Sequence, residues 1–398
     1  MMAQKSLGLF EGYGIELEYM IVDRDSLRPL FICDKVLEDM AGKKTMSFED
    51  GVIAWSNELA LHVIEIKCNG PQVDLDAVSK GMAEAVVEMN GRLSKYNAQL
   101  LSTAMHPYFN PNDGSLKLWS GDDVEIYSAY DRIFGCKGHG WGNLQSIHIN
   151  LPFSSDDEFF RLHSAVRLLL PLLPAFAASS PFVEGKNGPL HDSRLHFYLE
   201  NQRRIPSIIG DAIPEPVMSE AEYIENILEP MYRDISKVDS AGVLQHEWLN
   251  SRTAIARFDR KAIEIRILDI QESILADFTL IKAIVESVKN LVFQNQPEQH
   301  SRITQGSLKN ILYGTLKDQN RYLVQDDKYC DIVGGKSSVK DIFRYLAPNA
   351  LSSNPVFLTE NLAERLLKSL GKTPTMDELV SQYKVIGSCL AENRFYGV

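Results

Sequence analysis

The stretch "GIELEYMIVD", residues 14–23, sets Glu16 and Glu18 two positions apart in an otherwise apolar run. Alternate strand residues share a face at about 6.6 Å spacing, so both carboxylates point one way with Met20, and Ile15, Leu17, Tyr19 and Ile21 the other. Like charges that close are unfavourable unless protons, cations or water compensate. Read alone, the segment also fits a strand with one solvated face.

The arrangement recurs. In "AIEIRILDI" (262–270), Ile263, Ile265 and Ile267 oppose Glu264 and Arg266. In "SIHINLPF" (146–153), Ile147, Ile149 and Leu151 oppose Ser146, His148 and Asn150. In "ALHVIEIKC" (60–68), Glu65 and Lys67 share a face with Val63. A solvated face favours mixtures of Lys, Thr, Ser and Gln. Carboxylates with one histidine and one arginine suit the lining of a cleft. Mg²⁺ or Mn²⁺ takes carboxylate oxygens at about 2.1 Å, with water and phosphate completing the shell. Glu58 lies seven residues before Glu65. On one unbroken strand the two face opposite ways, so Glu58 joins only from a preceding loop or beyond a bulge.

The elements that must hold these residues follow from periodicity. Strands are expected at 10–23, 60–68, 100–107, 146–153 and 262–270. Helices are expected at 74–100, with Asp74 as N-cap, and at 123–134, 156–178, 219–235 and 273–295. After "NQPEQH" (295–300) the pattern turns helical (301–317, 338–346, 359–370, 375–391) with hardly any strand. This gives an α+β body, 1–298, and a helical C-terminal region, 299–398.

The 398 residues carry a formal net charge of −12, which argues against a nucleic-acid coat but not against an anionic substrate in an arginine- or metal-lined pocket. Five scattered cysteines without C-x-x-C spacing suggest reduced thiols and a cytoplasmic setting. The N-terminus lacks an apolar core of signal-peptide length. The run "LLLPLLPAFAA" (168–178) is too short to span a bilayer and reads as a buried helix. No membrane partner is expected.

Together, "GIELEYMIVD", "NELALHVIEIKCNGP", "HINLPF", "AASSPFVEGKNGPLHDSRLHFY" and "AIEIRILD", in this order, resemble glutamate–cysteine ligase family 2, the carboxylate–amine ligases of glutamine-synthetase-like fold. The resemblance runs over about residues 10–295 and implies an antiparallel sheet forming an active-site cleft, with helices outside. It implies ATP-dependent amide formation through an acyl phosphate, with ATP and Mg²⁺ (or Mn²⁺), an amino acid carboxylate such as glutamate, and an amine such as cysteine. By position it assigns Glu16, Glu18, Glu58, Glu65, His148 and Glu264 to metal, and Arg266, with Glu264, to phosphoryl transfer. Arg194 falls at a substrate-side arginine, Arg257 and Arg252 at looser phosphate-contacting positions, and Asn150 beside them on the substrate side. A homo-oligomer is compatible with the sequence.

Other signals are weaker. "HEWLN" (246–250) lacks the second histidine of a zinc protease, and "CDIVGGKSS" (330–338) lacks the first glycine of a P-loop. "GCKGHGWGN" (135–143) reads as a turn that can border a nucleotide cleft. His62, His106 and His196 read as packing or hydrogen-bonded residues. A two-metal phosphohydrolase and a non-catalytic nucleotide-binding relative are the competing readings.

Overall fold

The structure, a computed structural model, describes residues 7–353, 356–371 and 373–397. Its centre is an antiparallel sheet. The strands are β1 (Gly14–Asp23), β2 (Ser47–Asp50), β3 (Ile53–Asn57), β4 (Val63–Cys68), β5 (Ala98–Leu101), β6 (Ser146–Pro152), β9 (Ala254–Arg257) and β10 (Ala262–Asp269). A separate hairpin pairs β7 (Phe182–Val183) with β8 (Lys186–Asn187). The large sheet runs β2-β3-β4-β1-β6-β10-β9, and β5 replaces β6 beside the C-terminal half of β1.

The alternation sorts the faces as the sequence implies. Ile15, Leu17, Tyr19 and Ile21 enter the main core with Ile147, Ile149, Ile263 and Ile265. Helices Leu75–Leu93, Asp156–Leu169 and Ile274–Phe293 cover that side through residues such as Met82, Phe159 and Ile281. Asp74 caps the first of these, its Oδ1 accepting from the backbone N–H groups of Asp76 (2.9 Å) and Ala77 (3.2 Å).

Some elements differ from expectation. The helix expected over 156–178 stops at Leu169 and continues as a 3₁₀ turn and a short helix, because Pro171 and Pro174 cannot donate to the ladder. Residues 220–235 include a π-turn at Ile224–Leu228, where Pro230 removes a donor. The strand expected at 100–107 is Ala98–Leu101, ended by a left-handed Thr103 (φ 81°). Strands β2, β3 and β9 and helix Ser193–Glu200 were not anticipated.

The helical C-terminal region lies where expected, with helices including Gln305–Asp318, Val339–Leu346, Leu362–Leu370 and Met376–Glu392. The change near 298 is one of element type. Ile303, Leu308, Ile311 and Phe343 belong to the same core as β1 and β6. On the opposite sheet face, Met20, Val22 and Leu101 pack with Leu362, Leu379, Tyr383 and Ile386. Of the four side chains that β1 sends to that face, Glu16 and Glu18 line a cleft, and Met20 and Val22 lie under the last two helices. Among the described residues no helix is long and apolar enough to cross a membrane.

Candidate active site

The uncovered part of the sheet forms the floor of a cleft of about 730 Å³. Register brings the acids together: Glu16 stands opposite Lys67 on β4 and His148 on β6, and Glu18 opposite Glu65. Glu58 sits in the loop between β3 and β4, so it escapes the parity of Glu65 and reaches the same cleft. Two sets of ligand atoms result, Glu16–Glu65–His148 and Glu18–Glu58–Glu65, each lying within 4.8 Å of one another, with Glu65 common to both. Hard oxygens plus one imidazole at this closeness are a donor set suited to Mg²⁺ or Mn²⁺.

Neighbours fix these side chains. Ser146 donates to Glu18 Oε2 from its backbone N–H (2.8 Å) and its hydroxyl (3.1 Å). Ser56 donates to Glu65 Oε1 at 2.8 Å, as does the Lys67 ammonium at 2.6 Å. His148 Nδ1 lies 3.3 Å from Glu16 Oε2. Asn150 donates to Glu16 Oε1 at 3.1 Å, so it orients a carboxylate and does not itself line the cleft.

The electrostatics follow. Removal from water, then the charges of Glu18 and Glu65, raise Glu58 well above the usual carboxylate range. The same desolvation and the charge of Glu16 raise Glu65 to about 7. Burial alone would lower His148, but its bond to Glu16 and the charges of Glu264 and Glu18 lift it to about 9. Burial opposes ionisation of Glu16 too, and His148 outweighs it, holding that carboxyl low. Protons and side-chain cations here do what a divalent ion can do more strongly.

The arginines separate into three cases. Arg266 binds Glu264 Oε1 through Nε (2.9 Å) and Nη2 (2.7 Å), and its Nη1 donates to the Asn250 carbonyl. Arg257 reaches Glu264 Oε2 at 3.4 Å and Asp259 at 3.1 Å, also at the cleft. Glu264, expected among the metal ligands, is thus the counter-ion of two arginines and belongs to neither three-ligand group. Burial opposes its charge, and Arg266, then His148, keep it low.

Arg194 lines the cleft floor, but Nε is committed to Asp269 at 2.6 Å and Nη2 to the Ile267 carbonyl. Arg252 is a correction: it does not reach the cleft. It forms a two-point pair with Glu215 (2.6 and 2.7 Å), and its Nη1 is taken by Asn250 and the carbonyls of Ser207 and Ile208. Its partners lie at Glu215, Asn250 and the 3₁₀ turn Pro206–Ile208, away from the strands that floor the cleft.

Sequence reading missed an aromatic wall. Tyr130 packs against Trp141 (5.3 Å between ring centroids) and Trp248 (6.0 Å), and all three line the cleft. Trp141 comes from the glycine-rich loop, which does border the cleft. Gly140 must lack a side chain: a Cβ there would lie 1.6 Å from Asn201 Oδ1 and 2.9 Å from the Phe197 carbonyl. The spacing of aromatics across three separate segments gave no local signal. Arg260, in the β9–β10 turn, was also missed; it reaches 3.9 Å from Glu16. His106 and His62 are packing residues as expected, His106 bonded to the Leu27 carbonyl at 2.7 Å and His62 packed between Phe31 and Phe109.

Comparison with known proteins places the chain. The family model for glutamate–cysteine ligase family 2 matches residues 13–321. An uncharacterized protein of Archaeoglobus fulgidus is 33% identical over 391 residues, 96% of this chain and 99% of that one. The chloroplastic glutamate–cysteine ligase of Nicotiana tabacum is 27% identical over 111 residues, 27% of this chain and 21% of that one. Among solved structures, glutamate–cysteine ligase from Francisella tularensis in complex with AMP matches with a TM-score of 0.63 at 11% identity, covering 98% of this chain and 91% of that one. That likeness establishes the shared glutamine-synthetase-like α+β fold.

Proposed function

The chain belongs to glutamate–cysteine ligase family 2, and from that premise we propose that it is an ATP-dependent carboxylate–amine ligase joining an amino acid such as glutamate to an amine such as cysteine. The observation that carries this reading is one cleft in which a carboxylate–histidine group and an all-carboxylate group, sharing Glu65, lie beside Arg266, Arg257 and Arg260. Phosphoryl transfer is chiefly positioning and charge neutralisation, and this is the equipment for it.

Glu16, Glu65 and His148 would hold one Mg²⁺ or Mn²⁺ ion, and Glu18, Glu58 and Glu65 a second. Such ions supply positive charge against the ATP phosphates. Ser146, Ser56 and Asn150 keep the ligating carboxylates oriented. Arg266 offers the transferring phosphoryl group the N–H bonds of its terminal nitrogens that Glu264 and Asn250 leave over, with Glu264 fixing the guanidinium plane. A carboxylate oxygen of the acid attacks the γ-phosphorus and ADP departs. The amine nitrogen then attacks the acyl carbon, phosphate leaves with the electron pair of the broken carbon–oxygen bond, and the nitrogen's proton passes to the departing phosphate. Arg194, its Nε and Nη2 anchored by Asp269 and Ile267, faces the substrate with the rest of its guanidinium.

The test is product analysis with glutamate and a panel of amines. Amine-dependent ADP release with ¹⁸O passing from the reacting carboxylate into phosphate is the expected outcome. Label in AMP, with pyrophosphate, would mean an adenylate route. Phosphate release indifferent to amine would mean a hydrolase.

A further inference from the structure

Lys67 lines the cleft from β4 and has no place in the chemistry above. Its register partner on β1 is Glu16, and its ammonium lies 2.6 Å from Glu65 Oε1. Glu65 is the carboxylate shared by both three-ligand groups. Lys67 therefore holds the one side chain common to both cation positions. The oxygen it takes also accepts from Ser56, so two donors already engage that side of the carboxylate.

An ammonium and a divalent ion do not share one carboxylate on equal terms. Positive charges about 4 Å apart repel by about 1 kcal/mol per unit-charge pair in water and by more in a partly enclosed site. The lysine has somewhere to go. Its side chain is 34% exposed, whereas that of Glu65 is only 4% exposed, so the ammonium moves more easily than the carboxylate. A flexible four-carbon stem lets the ammonium swing while its methylenes stay against the strand. The groups that enter this cleft with the cations, phosphate and carboxylate, are anionic.

We propose that Lys67 is an exchange cation: it neutralises Glu65 until a divalent ion binds, then transfers its ammonium to an anionic oxygen of the bound substrate. The nature of that oxygen rests on the ligase reading; the competition at Glu65 does not. Lys67 is thus a positioning residue for the ions and a contact residue for the substrate.

The prediction is a pair of opposite shifts. Calorimetric titration of the full chain, first stripped with chelator, would use MnCl₂ alone, then a non-hydrolysable ATP analogue or L-glutamate at saturating Mn²⁺. Lys67→Met should bind Mn²⁺ about tenfold more tightly and the analogue or glutamate about tenfold more weakly, as for loss of one charge-assisted hydrogen bond. Which of the two weakens identifies phosphate or carboxylate as the partner. Lys67→Arg, which keeps the charge, should stay near wild type for Mn²⁺ and guards against a folding defect in the first variant. Unchanged Mn²⁺ affinity, weakened Mn²⁺ affinity, or unchanged affinity for both anions overturns the proposal. A wild-type chain that binds Mn²⁺ but neither anion overturns the ligase reading and the substrate half with it, and leaves the Mn²⁺ shift to decide the exchange at Glu65.

Discussion

Glu58 and Glu264 are both assigned to metal by the family resemblance, and the structure gives them opposite electrostatics. Glu58 is surrounded by acids and held toward its neutral form. Glu264 is ionised between Arg266 and Arg257. Glutamine replaces a neutral carboxyl almost without change in shape or charge, so Glu58→Gln should leave thermal stability without added metal unaltered. It should weaken Mn²⁺ binding at least about tenfold, the smallest loss usual for disturbing a metal site. Glu264→Gln strands the Arg266 guanidinium without its counter-ion, at an order-of-magnitude cost of 3–5 kcal/mol. Parallel chemical denaturation of the two proteins checks both statements; equal stability losses would mean that Glu58 is ionised or that Glu264 is not a structural partner. Residue type and spacing made both visible as site members. Alternation also set Arg266 beside Glu264 on one strand face, but gave no sign of Arg257, because β9, which pairs it with β10, was not anticipated.

At the scale of elements, the alternation that revealed the cleft also explains what it concealed. Parity assigns Glu264 and Arg266 correctly, but a bulge between Ile265 and Leu268 adds one residue against Ile149–Ile147. Beyond it the faces exchange, and Asp269, odd-numbered like the core isoleucines, pairs with Ser146 and anchors Arg194. A bulge has no dependable local signature, so that salt bridge was illegible. Glu58 was legible only conditionally, because a loop ends the parity argument. Helix Asp156–Leu169 offers a test of how the core treats a polar residue. His163 lies flat on Phe159 (5.2 Å between ring centroids), with no hydrogen-bond partner for either nitrogen among the described residues. Burial, then the charge of Arg167, lowers it to about 3. The folded-state value is below the unfolded one, so this histidine's contribution is complete above about pH 6.5 and lost as pH falls. Relative to His163→Leu, wild type should therefore lose about 2 kcal/mol between pH 7 and pH 5, at about 1.4 kcal/mol per pH unit below the unfolded value. Urea denaturation of the pair at the two pH values measures it, and a difference independent of pH would mean that the ring takes up its proton in the folded protein.

For the whole molecule, the sequence shows a change of texture near residue 298, and texture is a poor guide to where a core ends. The strand-bearing part and the helical part share their interior: the rings of Phe176 and Phe343 lie 4.1 Å apart, and Tyr329 donates to the Leu168 carbonyl at 2.7 Å. Thr315 donates to the Pro171 carbonyl at 2.6 Å, and Asn361 to that of Ala175 at 3.0 Å. These four contacts converge on residues 168–176, in the proline-broken run read from sequence as a buried helix, and the run is buried between the two parts. A second tie is the buried pair of Arg365 with Glu272, 2.7 Å, just before the helix Ile274–Phe293 that backs the sheet. The final helices also cover Met20 and Val22, the continuation of the strand that carries Glu16 and Glu18. A chain ending at residue 298 would expose the apolar run at 168–176, leave Glu272 without its partner, and free one end of β1. We expect the 1–298 fragment to lack a cooperative unfolding transition and to bind no Mn²⁺, although every candidate ligand is present in it. Circular dichroism during heating, together with calorimetry, decides this. A fragment that unfolds cooperatively and binds Mn²⁺ like the full chain would establish 1–298 as an independent domain with the helical region as an appendage.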